Sequence, residues 1–309
     1  MPPRLIAFIA LVVLLPLAGS GQTGHPDLQG YWTNSTITPL ERPADLAAKA
    51  VFTEKEAADY QRRVLAAVNT DNRDANPEID VGRSYNELFR ERGGVVPDRR
   101  TSLIIDPPDG RIPALTPAGQ KKAKVRRPPA DNPEDRNLAE RCITRGAPKI
   151  AGGYNNNFQI LQMPGYVVIT QEMIHEARVI PLGRKTHLDP HIRLWMGDSI
   201  GRWEGKTLVV ETTNFDDRIA ANSFNCCGLS GENLKITERF TRVSADRIDY
   251  QYTVDDPVIY TRPWTVSLPL SRIEGPIYEY ACHEGNLALQ GILAGARATE
   301  KTAASRTQR

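Results

Sequence analysis

Residues 197–201 read Gly-Asp-Ser-Ile-Gly, the G-x-S-x-G spacing that can hold a nucleophilic serine on a tight strand-to-helix turn. The chemistry would be acyl transfer through Ser199. Such an elbow needs a strand before the serine and a helix after it. Here the following stretch, RWEGKTLVVET, reads as two strands around a Gly-containing turn, and no strand–helix–strand alternation occurs anywhere. The longer Gly-Asp-Ser-Gly-Gly string of trypsin-like sites is also absent. Ser199 is therefore read as a strand residue, with Gly197 and Gly201 permitting tight backbone at a strand end.

Polar residues on apolar faces carry more information, because burial without partners is costly. If one strand runs from Tyr166 to Ile180, then Val167, Ile169, Met173, Ala177 and Val179 share a face with His175. Glu172, Glu176 and Arg178 then face the other way. In LKITERF, Glu238 falls in line with Leu234, Ile236 and Phe240. An inward histidine and an inward carboxylate can form an acid–base pair, so His175 and Glu238 are the candidate catalytic residues. A structural His–Glu contact, or a register break that turns one of them outward, explains the same pattern.

Metal chemistry has weaker support. A helical reading of QEMIHEARVI would group Glu172, His175 and Glu176, but the neighbouring β-branched residues favour a strand. His187 and His191 are separated by Pro190, and neither His175-Glu176 nor His283-Glu284 is followed by the second histidine of an HExxH motif. Gly-rich phosphate loops and dinucleotide fingerprints are missing. No metal or other cofactor is expected. Candidate ligand-binding residues are Tyr250, Tyr252 and Trp264 as pocket walls, Asn156 in the YNNN run, and His283 at the barrel mouth. Turn chemistry accounts equally for YNNN, and a structural role for CHEGN (282–286).

These side chains need a scaffold, and the second half of the chain supplies strands in series. FQILQM-PG-YVVITQ, SIGRW-EGK-TLVVETT and LKITERFTRV-SAD-RIDYQYTV read as hairpins, with YTRPWTVSLPLSR and IYEYA as further strands. Ile248, Tyr250, Tyr252 and Val254 alternate onto one face, as do Trp264, Val266, Leu268 and Leu270. The fold class is mainly β: an antiparallel meander of eight or nine strands closing into a barrel or strongly curled sheet, with a few peripheral helices and long loops. A strand near DLQGYWTN, a helix capped by Thr53 and Glu56, and polar loops over 69–142 form an N-terminal part, residues 21–150, packed on the main domain at 151–309. GNLALQGILAGARA reads as a C-terminal helix.

Arg4, the apolar run Leu5–Leu17 and the small residues at 18–20 have the layout of a signal peptide, residues 1–20. The expected product is soluble and exported, periplasmic or secreted, with no membrane insertion after signal removal. A formal net charge of +2 gives no global field for nucleic acid, and none is expected as a partner. Four cysteines suit an oxidising compartment. Cys142–Cys282 is the expected disulfide, and Cys226 and Cys227 are bridged to each other or left as thiols.

Several strings together resemble a family of exported bacterial proteins of uncharacterised function: DLQGYWTNSTITPLERP (28–43), DRRTSLIIDPPDGRIPALT (98–116), YNNNFQILQMPGYVVITQEMIHEARVIPL (154–182), GDSIGRWEGKTLVVETTNF (197–215), YTVDDP with TRPWT (252–265), and YEYACHEGN (278–286). The resemblance implies export and a shared fold but no activity. Gly-x-Trp and WEGKTLVVE are also similar to lipocalin-like barrels. The expectation is a binder of a small apolar or amphipathic molecule, acting as a cofactor-independent acid–base enzyme (lyase, isomerase, cyclase or hydrolase). The alternatives are a non-catalytic periplasmic carrier and an envelope interaction protein.

Overall fold

The computed structural model describes residues 24–69, 71, 76, 87, 90–91, 93–94, 96–124, 130–150, 152–218 and 231–307. The signal-peptide segment 1–20 and the pair Cys226 and Cys227 lie outside the described residues.

Eleven strands form one antiparallel sheet: β1 (Gly30–Thr33), β2 (Ile104–Asp106), β3 (Asn157–Met163), β4 (Tyr166–Gln171), β5 (Ala177–Pro181), β6 (Asp198–Glu204), β7 (Thr207–Thr213), β8 (Lys235–Ser244), β9 (Arg247–Asp255), β10 (Trp264–Ser267) and β11 (Leu270–Arg272). Nine of them run around a nearly closed barrel in the order β5-β4-β3-β1-β11-β9-β8-β7-β6, while β10 extends along β9 and pairs β2. The alternating pattern that predicts hairpins also sets their register. Pro164-Gly165 turns β3 into β4 with Gly165 at φ 79°, a left-handed conformation that favours glycine. β1 and β2 belong to the sheet itself, so the barrel draws on both sides of residue 150. IYEYA (277–281) is not a strand. Both edges of the preceding β11 are already taken, by β1 and β9, which leaves it no partner there.

Nine strands alternating in direction leave the two ends of the ring, β5 and β6, running the same way. No strand pairing joins them, and the chain returns between them through the segment 182–197. This seam is closed by side chains. A Cβ at Gly201 of β6 would come within 2.8 Å of Ile180 and 2.9 Å of Leu182, so glycine permits the close approach.

The core follows the period-2 pattern. Ile248, Tyr250, Tyr252 and Val254 of β9 are all buried, as are Trp264, Val266, Leu268 and Leu270. One end is closed by Trp32, whose indole N–H donates to the Leu28 carbonyl at 3.0 Å. Arg242 and Arg272 lie over its ring at 5.5 and 5.7 Å. Outside the barrel, α1 (Glu54–Val68) has the expected capping box of Thr53 and Glu56. α2 (Pro117–Ala123) follows in the polar region, and α3 (Leu287–Thr307) is joined to residues 130–131 through Arg297. The disulfide Cys142–Cys282 ties the C-terminal segment to the barrel. No helix among the described residues is long and apolar enough to cross a membrane.

Candidate functional site

The strand expected from Tyr166 to Ile180 is broken at Met173–His175 by a short 3-10 turn. Ile174 and His175 both take the left-handed backbone, φ 60° and 44°. For a β-branched isoleucine this is an outlier of the kind that costs about 1–3 kcal/mol and persists only where the surroundings enforce it. The kink reverses the phase of everything after it. Glu172, just before it, is buried; in β5 beyond it Arg178 points inward; His175 itself is exposed, its Nδ1 lying 2.9 Å from the Tyr280 carbonyl oxygen.

His175 and Glu238 therefore do not meet. Glu238 is inward and buried as expected, but its partner is Arg178 from across the seam. The guanidinium donates to both carboxylate oxygens at 2.6 and 2.8 Å, and the Tyr250 hydroxyl donates to Oε1 at 2.7 Å. Burial works against the Arg178 charge, but the adjacent Glu238 outweighs it and raises its pKa. Burial and the same carboxylate push the Tyr250 hydroxyl well up, so it remains a proton donor.

Above this pair, residues 142–150 and 152–156 cover the barrel end. Asn156, fully buried, is its hub: the amide nitrogen donates to the carbonyls of Glu91 and Gly152, and the amide oxygen accepts from the Gly152 N–H. That oxygen also accepts from Lys149 Nζ at 3.2 Å, and the Asn155 carbonyl accepts a second, shorter bond from the same amine. No ion pair among the described residues involves Lys149. Burial and the nearby Arg145 charge bring its pKa down to about 7, although Glu172 and Glu91 oppose the fall. Glu172 accepts from Asn155 at 2.5 Å and from Asn157 at 2.9 Å. Glu176 accepts from the Arg145 N–H at 3.1 Å, and burial pushes its carboxyl up to about 7 despite that bond and one from Thr144.

Lys149, Gln171, Arg178, Glu238 and Tyr250 share a cavity of about 20 Å³, with an apolar floor that includes Phe158, Ile160 and Phe240. That volume holds roughly one water-sized group. Two of its polar atoms are buried without a hydrogen-bond partner: Arg178 Nε, a donor, and Gln171 Oε1, an acceptor. On the outer side of Asn155 an open groove of about 480 Å³ is lined by Glu140, Tyr280, Cys282 and Asn286.

Of the residues singled out in the sequence, Glu238 and Tyr250 line the cavity and Asn156 holds its cover. Tyr252 and Trp264 are buried core residues outside it, and His283 is exposed on the C-terminal segment. Lys149, Gln171 and Arg178 were not anticipated. A signal existed for Arg178, a lone charge between Ala177 and Val179 in a strand, but the assumed phase turned it outward. Ser199 is the second residue of β6, its hydroxyl 2.8 Å from that of Thr212. His187 is committed to two carboxylates, Asp198 at 2.9 Å and Glu211 at 3.2 Å. Among the described residues no group of three or more His, Cys, Asp and Glu is arranged to hold a metal ion.

Neither a scan against protein-family models nor a search of curated proteins finds a match for this chain.

Proposed function

We propose that the protein is an exported small-molecule-binding enzyme that performs acid–base chemistry without a cofactor at the loop-covered end of the barrel. The observation that carries this reading is the Lys149 amine at the cavity wall, hydrogen-bonded to two neutral carbonyl oxygens. With a pKa near 7 it exchanges a proton at physiological pH, as a general base or acid requires. Arg178, locked by Glu238, supplies a fixed N–H toward a reacting oxygen, and Tyr250 orients the carboxylate. Glu176 provides a second group poised near neutrality beside the same loop. The strained pair Ile174-His175 supports placing function here, because such strain clusters at active sites. The Cys142–Cys282 disulfide favours an oxidising compartment.

The cavity restricts the reacting part of a substrate to roughly one water-sized group, far below the roughly 300–1,000 Å³ of drug-sized ligand sites. Selective 13C labelling of lysine, with Lys149→Arg to assign the resonance, tests the proton-transfer role. A midpoint near pH 7 is expected, and a midpoint above 10 would remove the basis for the reading. For any substrate found by screening, the pH–rate profile should show a limb near 7 that Lys149→Met abolishes.

A further inference from the structure

We propose that Lys149 is a covalent nucleophile that condenses with short, neutral aldehydes to form an imine, a role that rests on the acid–base reading of the same site. The hydrogen bonds fit a neutral amine. A primary amine has two N–H groups and one lone pair, and the two N–H groups are matched by the carbonyl of Asn155 and the side-chain oxygen of Asn156. The lone pair then remains for an electrophile. A buried ammonium would ordinarily be paired with a carboxylate, and none pairs with Lys149 among the described residues.

The atoms left unpartnered in the cavity fit the intermediate better than the substrate. Arg178 Nε offers one donor and Gln171 Oε1 one acceptor, and both side chains are more than nine-tenths buried. An aldehyde oxygen only accepts. The carbinolamine formed from it carries a hydroxyl that accepts from Arg178 and donates to Gln171, so the site gains a hydrogen bond as the reaction proceeds. In the balanced sequence, the amine nitrogen bonds to the carbonyl carbon and one N–H proton ends on the oxygen. Loss of that oxygen with the second N–H proton releases water and leaves the C=N bond to Lys149.

The cavity also chooses among carbonyl compounds. Its volume admits roughly one water-sized group beside the amine, so only the shortest aldehydes enter, and Phe158, Ile160, Ile169, Phe240 and Leu270 give it an apolar lining. Arg178, the permanently charged cation lining the cavity among the described residues, is already neutralised by Glu238. Neutral acetaldehyde should be preferred over anionic glyoxylate. The groove on the far side of Asn155 provides the approach, with Asn155 as the partition.

The test uses the full oxidised chain at pH 7 with acetaldehyde and cyanoborohydride, which reduces an imine to a stable ethylated lysine. Peptide mapping then locates the label. Lys149 should be modified on the order of a hundredfold faster than surface lysines, which are almost wholly protonated at that pH. Glyoxylate should label it more slowly, and Lys149→Arg should lose the fast site. Asn155→Gly, which keeps the left-handed backbone and removes the partition, should label at least as fast. Preferential labelling in that variant alone supports the same chemistry behind a closed partition. Labelling spread over surface lysines in both proteins overturns the imine role. The lysine titration separates the two ideas: a midpoint near 7 without an adduct leaves acid–base chemistry standing, whereas a midpoint above 10 removes both.

Discussion

The two ends of the barrel are closed by opposite means. At one, Trp32 fills the opening with an apolar ring, its single polar atom bonded to Leu28, and half-buried Arg242 and exposed Arg272 lie over its face. At the other, buried Lys149, Glu172, Arg178 and Glu238 meet under a polar loop, above a kink with two consecutive left-handed residues. An aromatic plug is satisfied by packing alone. A titratable cap is stable only if each charge finds a partner or is neutralised by proton loss from an amine or proton uptake by a carboxylate. The difference marks the first end as structural and the second as the place where the molecule carries costly arrangements.

The largest expected effect comes from the ion pair that spans the seam. Arg178→Ala should lower unfolding free energy by about 3–5 kcal/mol, because Glu238 is left charged and buried. The double change Arg178→Met with Glu238→Leu should recover most of that loss, measured by denaturant titration. A loss under about 1 kcal/mol for the single change would mean that the seam is held without it. Trp32→Leu supplies the control at the other end. It should cost stability, by about 2–4 kcal/mol from lost packing, yet leave the Lys149 midpoint and its aldehyde labelling unchanged.

A smaller and more diagnostic effect is the pH dependence of stability. Lys149 titrates near 7 when folded and at 10.5 when unfolded, so between these values the unfolded chain holds the extra proton. Stability from this group rises with pH across that window. Glu176 is the reverse: folded near 7 and unfolded at 4.5, it makes the native state the proton holder, so its contribution falls as pH climbs from 4.5 to 7. Together they place a minimum near neutrality, with limbs of up to about 1.4 kcal/mol per pH unit. Lys149→Met should flatten the alkaline limb and Glu176→Gln the acid limb in paired unfolding curves. Unchanged limbs would show that the cap does not titrate as described. The smallest effect belongs to the plugged end, where Arg272→Ala should cost only about 0.5–1 kcal/mol, the worth of an exposed cation over an aromatic face, with no change in either limb.

Much of the scaffold was legible in the sequence. Alternating residues and Gly-containing turns encode the hairpins locally, and the inward aspect of Glu238 and the Cys142–Cys282 bridge follow from pattern and chemistry. The site was less so. Two left-handed residues at Ile174 and His175 reverse a strand's phase, and nothing in their identities signals it, since neither is glycine. That single kink exchanged His175 for Arg178 as the partner of Glu238. Lys149 lies in APKIAGG, which has no periodicity, so its burial depends on strands far away in the chain. The partner of each buried charge comes from tertiary structure, which local pattern does not report.

The disulfide has a further consequence. Cys142 and Cys282 join positions 140 residues apart, so the chain from β3 to β11 becomes a covalent hoop. β1 lies outside that hoop in sequence but inside it in space, slotted between β3 and β11. Both neighbours are more than a hundred residues away, so β1 has no local partner and closing it into the ring carries a large loop-closure cost. A chain severed between β1 and the hoop would keep every other stave covalently linked, and the freed N-terminal strand would become a ligand of its own protein.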